Sequence, residues 1–346
     1  MGHTARRRVA PAIALAATAA CLLTVGASPA LAATVVCGQV ITQSTQVGND
    51  LTNCPADGLV IGAPNIKLDL GGHVVDGVGA AGSAGIANRL GFANVTIEHG
   101  TVQQFGNGVL LLNATGNEVA HLTVTQNFGS RGIQLQGSNG NRIEHNKVFN
   151  NFDGIHLIGS DANRIRHNDV YGNTASAIVL ITGSDSNRVD HNFTHDNPSW
   201  GLTQDGNSNG NRYEHNHVFN NRIAGIEPFN SSSLVISKNK VYGNRIGIEL
   251  FNTDNTTIAG NHIRGSTLDG IHSFQGSSGN LFSRNHADRN TDDGIDIADA
   301  GNTITKNHAG RNGDLGIFAA AGNTDGGGNK AKHNGNPAQC VGVTCH

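Results

Sequence analysis

The 346-residue chain predicts an all-β solenoid, three short strands to a coil, on three observations. One line of sequence recurs in steps of 22 to 24 residues, the mark of a stacked repeat. Each line carries three short apolar elements, rich in β-branched residues and separated by Asn, Gly, Asp and Ser, which read as three strands and three turns. No 11-residue window has a 3.6-residue period, which argues against helices. "NRIEHNKVFNNFDGIHLIGSDAN", residues 141–163, and "NRIRHNDVYGNTASAIVLITGSDSN", residues 163–187, are successive lines.

The elements follow in order from the "HN" motif at Asn146, Asn168, Asn192, Asn216, Asn239, Asn261, Asn285 and Asn307. Three positions earlier stands the first apolar series, Ile143, Ile165, Val189, Tyr213, Ile236, Ile258, Phe282 and Ile304. Two positions later comes a smaller one, from Val148 and Val170 to Ala287 and Ala309. The third follows Gly or Ala, from Ile133 and Ile155 to Ile295 and Ile317. The Asn residues are expected to turn the corners themselves, in the left-handed conformation Asn tolerates, and to bond amide to amide along the rod. A second series, Asn151, Asn173, Asn197, Asn221 and Asn244, marks the next corner. About eleven coils at the strand spacing of roughly 4.8 Å make a rod of roughly 50 to 55 Å.

The ends read differently. Arg6, Arg7 and Arg8 precede an apolar run from Val9 to Val25, and "ALA" at 30–32 offers small residues to signal peptidase, so residues 1–32 read as a secretory signal. The short, Ala-rich run argues against a membrane anchor, and the arginines loosely suggest the twin-arginine route. The expected organisation is this signal, a cap at 33–64, the repeat at 65–335 and a cap at 336–346. Cys21 leaves with the signal; Cys37, Cys54, Cys340 and Cys345 allow three pairings, of which the two local ones are expected because they tie the ends. The signal takes three of 23 basic residues and none of 26 acidic ones, leaving a mildly acidic chain without a basic run. That argues against sequence-independent nucleic-acid binding and, with the signal removed, leaves no membrane segment. A secreted, extracellular monomer is expected.

The "N-x-I-x-x-N-x-V" and "G-I-x-L" elements resemble those of right-handed parallel β-helix repeat proteins, including the NosD-like group and the pectate-lyase-like superfamily. The likeness covers about residues 65 to 335. "NIKLDLGGHVVDG", 65–77, is similar to the first coil of secreted bacterial members, and "NPAQCVGVTC", 336–345, to the cap of actinobacterial ones. The resemblance implies a single-stranded right-handed parallel β-helix, with ligands along the outside of the G-I strand and its flanking turns. The partner implied is an extracellular polysaccharide. The repeat motif specifies fold rather than reaction.

If Ile226, Ile248, Ile271 and Ile295 point inward, alternation turns Glu227, Glu249, His272 and Asp296 outward, with Phe229, Phe251 and Phe274 two positions on. Such a face reads as a reactive edge beside a platform for sugar rings. In a uronate lyase or C5-epimerase, the first expectation, His272 moves the proton, and the substrate carboxylate is neutralised by Arg222 and Arg245, or by Ca²⁺ on Glu227, Glu249 and Asp296. In a glycoside hydrolase, the second, Glu227 and Glu249 on neighbouring coils make a retaining pair, whereas Glu249 and Asp296, two coils apart, approach an inverting one. The paired-Asp, G-H-G and R-x-K elements of polygalacturonase-type hydrolases are missing, as is the D-P-H-[DE] element of mannuronan epimerases. The third expectation is a non-catalytic binding or structural rod. Its metal would be copper or zinc on the column of His99, His121, His145, His167, His191 and His215. Trp200 reads equally as a sugar platform or as filler in an irregular coil, and Asp153, Asp269 and Asp293, each before "GI", as turn residues.

Overall fold

The computed structural model describes residues 1–3 and 32–346; residues 4–31, which carry the expected signal and Cys21, lie outside it. From Ala32 the chain winds as one compact unit of parallel strands, with no helix among the described residues. Each coil contributes a strand to each of three sheets, as at Arg142–Glu144, Lys147–Phe149 and Asp153–Ile158. These are called the first, second and third sheets. Every pairing joins a strand to its equivalent one coil away, so the register of the repeat is the register of the sheet.

The third sheet has 14 strands, from Gln39–Ile41 to Cys340–Val341, or about 13 turns rather than eleven. The additional turns are at the ends, where Gln39–Ile41, Leu59–Ile61 and Cys340–Val341 coil in register without the "HN" motif. Disulfides join Cys37 to Cys54 and Cys340 to Cys345 at these ends. The three apolar series point inward and stack like on like. Ile226, Ile248, Ile271, Ile295 and Ile317 are each at most 1% exposed. Tyr213, in the first series, is buried too, and its hydroxyl donates to Gln204 Oε1 at 2.7 Å.

The Asn ladder is present, but its backbone role differs from the expectation. The left-handed residue is the one before each Asn: His145, His167, His191, His215, Lys238, Arg284 and Lys306 all have φ between 53° and 59°. The Asn itself turns inward. Asn216 Nδ2 donates to Val189 O at 2.9 Å and to Asn239 Oδ1 at 3.1 Å, while its own Oδ1 accepts from the Asn192 amides. Corner carbonyls cut off from water are thereby satisfied. The second series repeats the device, and a third at Asn117, Asn141, Asn163, Asn187 and Asn211 serves the remaining corner. The glycine of "G-I" has a separate cause. A Cβ on Gly225 would lie 2.6 Å from the Gly247 carbonyl oxygen of the next coil.

Candidate functional site

Alternation on the third sheet aligns Gln134, His156, Val179, Thr203 and Glu227 outward, and then Glu249, His272 and Asp296. Two positions further on, Phe229, Phe251 and Phe274 form the second column. Both columns stand where alternation puts them. Phe229 and Phe251 stack with centroids 4.2 Å apart, Phe274 meets Phe251 edge-on, and its face covers the His272 ring at 4.5 Å. All three rings are half-buried, so they wall the site and leave part of each ring exposed.

His272 lies between two carboxylates: its Nδ1 is 3.7 Å from Glu249 Oε1 and its Nε2 is 3.6 Å from Asp296 Oδ2. Burial works against its charge, but Glu249, Asp296 and Asp269 outweigh that and raise its pKa. Burial, reinforced by the neighbouring Glu249 charge, pushes Glu227 up to about 7, and the Trp200 indole N–H, donated to Glu227 Oε2, only partly opposes it. Trp200 is therefore part of the site. Arg222 and Arg245 are exposed at the sheet edge, with no carboxylate within salt-bridge distance among the described residues.

Two residues read as turn formers join this cluster. Burial raises Asp269 to about 6 and Asp293 to about 7; both feel the charge at Asp296, and Asp269 also that at His272. Their signal in the sequence is the recurrence of "DGIH" at 153–156 and 269–272 and "DGID" at 293–296. In the first of these, His156, 3% exposed, has its Nδ1 3.0 Å from Asp153 Oδ2 and 3.2 Å from Arg131 Nε. Between the two clusters runs a groove of about 450 Å³, walled by Phe152, Trp200 and Phe229, floored by Val179 and Ile181 and ending at Glu227. Its size suits a bound small ligand or a few sugar residues.

The metal expectations fare differently. The carboxylates of Glu227, Glu249 and Asp296 are spread over four coils, and they are not among the groups of described residues whose ligand atoms converge, so they do not fit a single Ca²⁺. The imidazoles of His99, His121, His145, His167, His191 and His215 do form a column, with centroids 4.9 to 5.2 Å apart. Their rings lie mostly face to face, which aims the nitrogens side by side rather than at a common point, and a closed copper or zinc site needs convergence.

The family model described as the right-handed β-helix region matches residues 41–194, 179–280 and 205–345. The chain belongs to the right-handed β-helix family. Solved structures similar to this β-helix include the A-module of the Azotobacter vinelandii mannuronan C-5 epimerase AlgE6. The two share 12% identity and a TM-score of 0.62 over 88% of this chain and 91% of that one. A point mutant of the periplasmic alginate epimerase AlgG follows at 13% identity and TM-score 0.52, covering 88% and 77%. The Dettilon tailspike protein matches at 18% and 0.52, covering 88% and 59%. At such identities the likeness is one of fold. A comparison with curated proteins finds no match.

Proposed function

We propose that this β-helix is an extracellular polysaccharide-active enzyme that cleaves a glycosidic bond by hydrolysis at the outer face of its third sheet. The observation that carries the reading is the pair Glu227 and Glu249, one held protonated near neutrality, the other beside an imidazole. Environments that push two carboxyl groups apart make one an acid and the other a base or nucleophile. Glu227 donates its proton to the leaving glycosidic oxygen as Glu249 attacks the anomeric carbon; water, deprotonated by the Glu227 carboxylate, then displaces Glu249 from that carbon, releasing the sugar and restoring both groups. Their strands are neighbours, which brings the two carboxyl groups together as the close pair of a retaining enzyme requires. His272 stands beside Glu249, and the Trp200 indole N–H orients Glu227. The groove from Phe152 to Phe229 supports the sugar residues on one side of the broken bond. Two disulfides and the alginate epimerases of similar fold agree with work outside the cytoplasm.

The charge of the cluster argues for hydrolysis over the uronate chemistry expected first. Glu249, Asp269 and Asp296 all act on the His272 imidazole, and an anionic sugar bound there meets their like charge. A second reading, C5 proton abstraction from a uronate by His272, draws on the unpaired Arg222 and Arg245 along the same edge. A polysaccharide panel separates the two. New reducing ends without ultraviolet absorbance support hydrolysis, unsaturated products absorbing in the ultraviolet support a lyase, and altered NMR of an uncleaved polymer supports an epimerase. Reducing ends that persist undiminished in Glu227→Gln overturn the assignment of the acid.

A further inference from the structure

The second sheet has an outer face of its own, and its C-terminal half is basic. Its outward positions hold Lys240 and Tyr242, then His262 and Arg264, then His286 and Asp288 in successive coils. Arg289 follows in the turn, exposed and left-handed at φ 57°. Together they line a concavity of about 470 Å³. The Arg264 guanidinium lies 5.4 Å from the Tyr242 ring centroid, which fixes its position.

The cations here are left without partners, in contrast to the arginines of the first sheet; what sets them apart from the unpaired Arg222 and Arg245 is that they converge on one hollow. On the first sheet, Arg142 pairs with Glu118 and Glu144, Arg164 and Arg188 with Asp190, and Arg212 with Glu214. No carboxylate lies within salt-bridge distance of Lys240, Arg264 or Arg289 among the described residues. The field is felt locally: burial, and then the charges of His286 and Lys240, lower the pKa of His262. A chain that is acidic overall gathers unpaired positive charge in one hollow, and such a hollow focuses anions.

We propose that this face of the second sheet is a separate, non-catalytic binding site for an acidic polysaccharide, whose carboxylate or sulfate groups are held by Lys240, Arg264 and Arg289. That the polyanion is a glycan rests on the reading of the third sheet as glycan-active; that it is a polyanion rests on the charges alone. Acidic residues of a polymer are anchored here, while the acid-rich cluster on the other sheet acts on an uncharged residue.

The test is affinity electrophoresis of the full chain in gels containing polygalacturonate, dextran or single-stranded DNA. Polygalacturonate is expected to retard the protein and dextran to leave it unaffected. The triple variant Lys240→Ala, Arg264→Ala, Arg289→Ala is expected to lose tenfold or more in affinity, with a salt dependence lower by roughly one unit of slope for each cation removed. Arg264→Glu alone is expected to act in the same direction, should the triple variant fold poorly. Glu227→Gln should bind polygalacturonate as the parent does, which keeps this proposal independent of turnover. Unretarded parent protein, undiminished binding in the variants, or tighter binding of DNA than of polygalacturonate overturns it.

Discussion

Glu227 is a half-buried acid whose chemistry depends on keeping its proton. Glu227→Gln keeps shape and removes proton donation, so turnover should fall by about 10² to 10⁴ while unfolding is little changed. Because the protonated form works, activity should decline as pH rises through about 7. Trp200→Phe removes an N–H that favours the charged form, so the alkaline limb of the pH profile should move to higher pH. Stability follows the same proton. Glu227, Asp269 and Asp293 have folded-state pKa values above their unfolded ones, so their contribution is complete below about pH 4 and is lost as pH rises through about 6 to 7. The melting temperature should therefore be higher at pH 5 than at pH 8, and Glu227→Gln should narrow the gap. A melting curve indifferent to pH across that range would contradict the buried-acid description.

At the scale of the element, the ladder is the part most exposed to a single change. Asn216→Ala removes donors from the Val189 carbonyl and Asn239, and an acceptor from the Asn192 amides, all out of reach of water. It should cost about 1 to 3 kcal/mol in denaturant unfolding, whereas Gln43→Ala, at an exposed bend, should cost little. The ladder was legible in the sequence because it is periodic; which residue bends the backbone was not. Asn146 and His145 are adjacent polar residues that recur together, and only the dihedral angles separate the one that turns from the one that bonds. The Glu and Phe columns were legible because strict alternation holds inside a strand. Trp200, Asp269 and Asp293 sit before their strands, where turns break alternation, so their approach to the site could not be counted out from Ile226 or Ile271.

For the whole molecule, stacking separates tasks that a globular core would mix. The interior is one continuous apolar column, and each outer face is then free to vary, coil by coil, without disturbing it. The third sheet carries aromatic rings and acids, the second carries unpaired cations, and the first carries arginines matched to carboxylates. The solenoid was accessible from one repeated line, and its handedness from the family resemblance that line carries. The basic hollow was not, because Lys240, Arg264 and Arg289 lie on three coils and form no run in sequence.

The pairing of every strand with its equivalent one coil away also has a mechanical meaning. Tension applied between the two ends loads one coil at a time, because no strand reaches past its neighbour to share the force. Pulled from the C-terminus in a single-molecule trap, the rod should release in a staircase. Each step should free one repeat of 22 to 24 residues, lengthening the tether by roughly 75 Å. The last step should be shorter without reductant, since the Cys37–Cys54 bond withholds the 17-residue segment it closes. Such a chain yields gradually where a globular domain snaps.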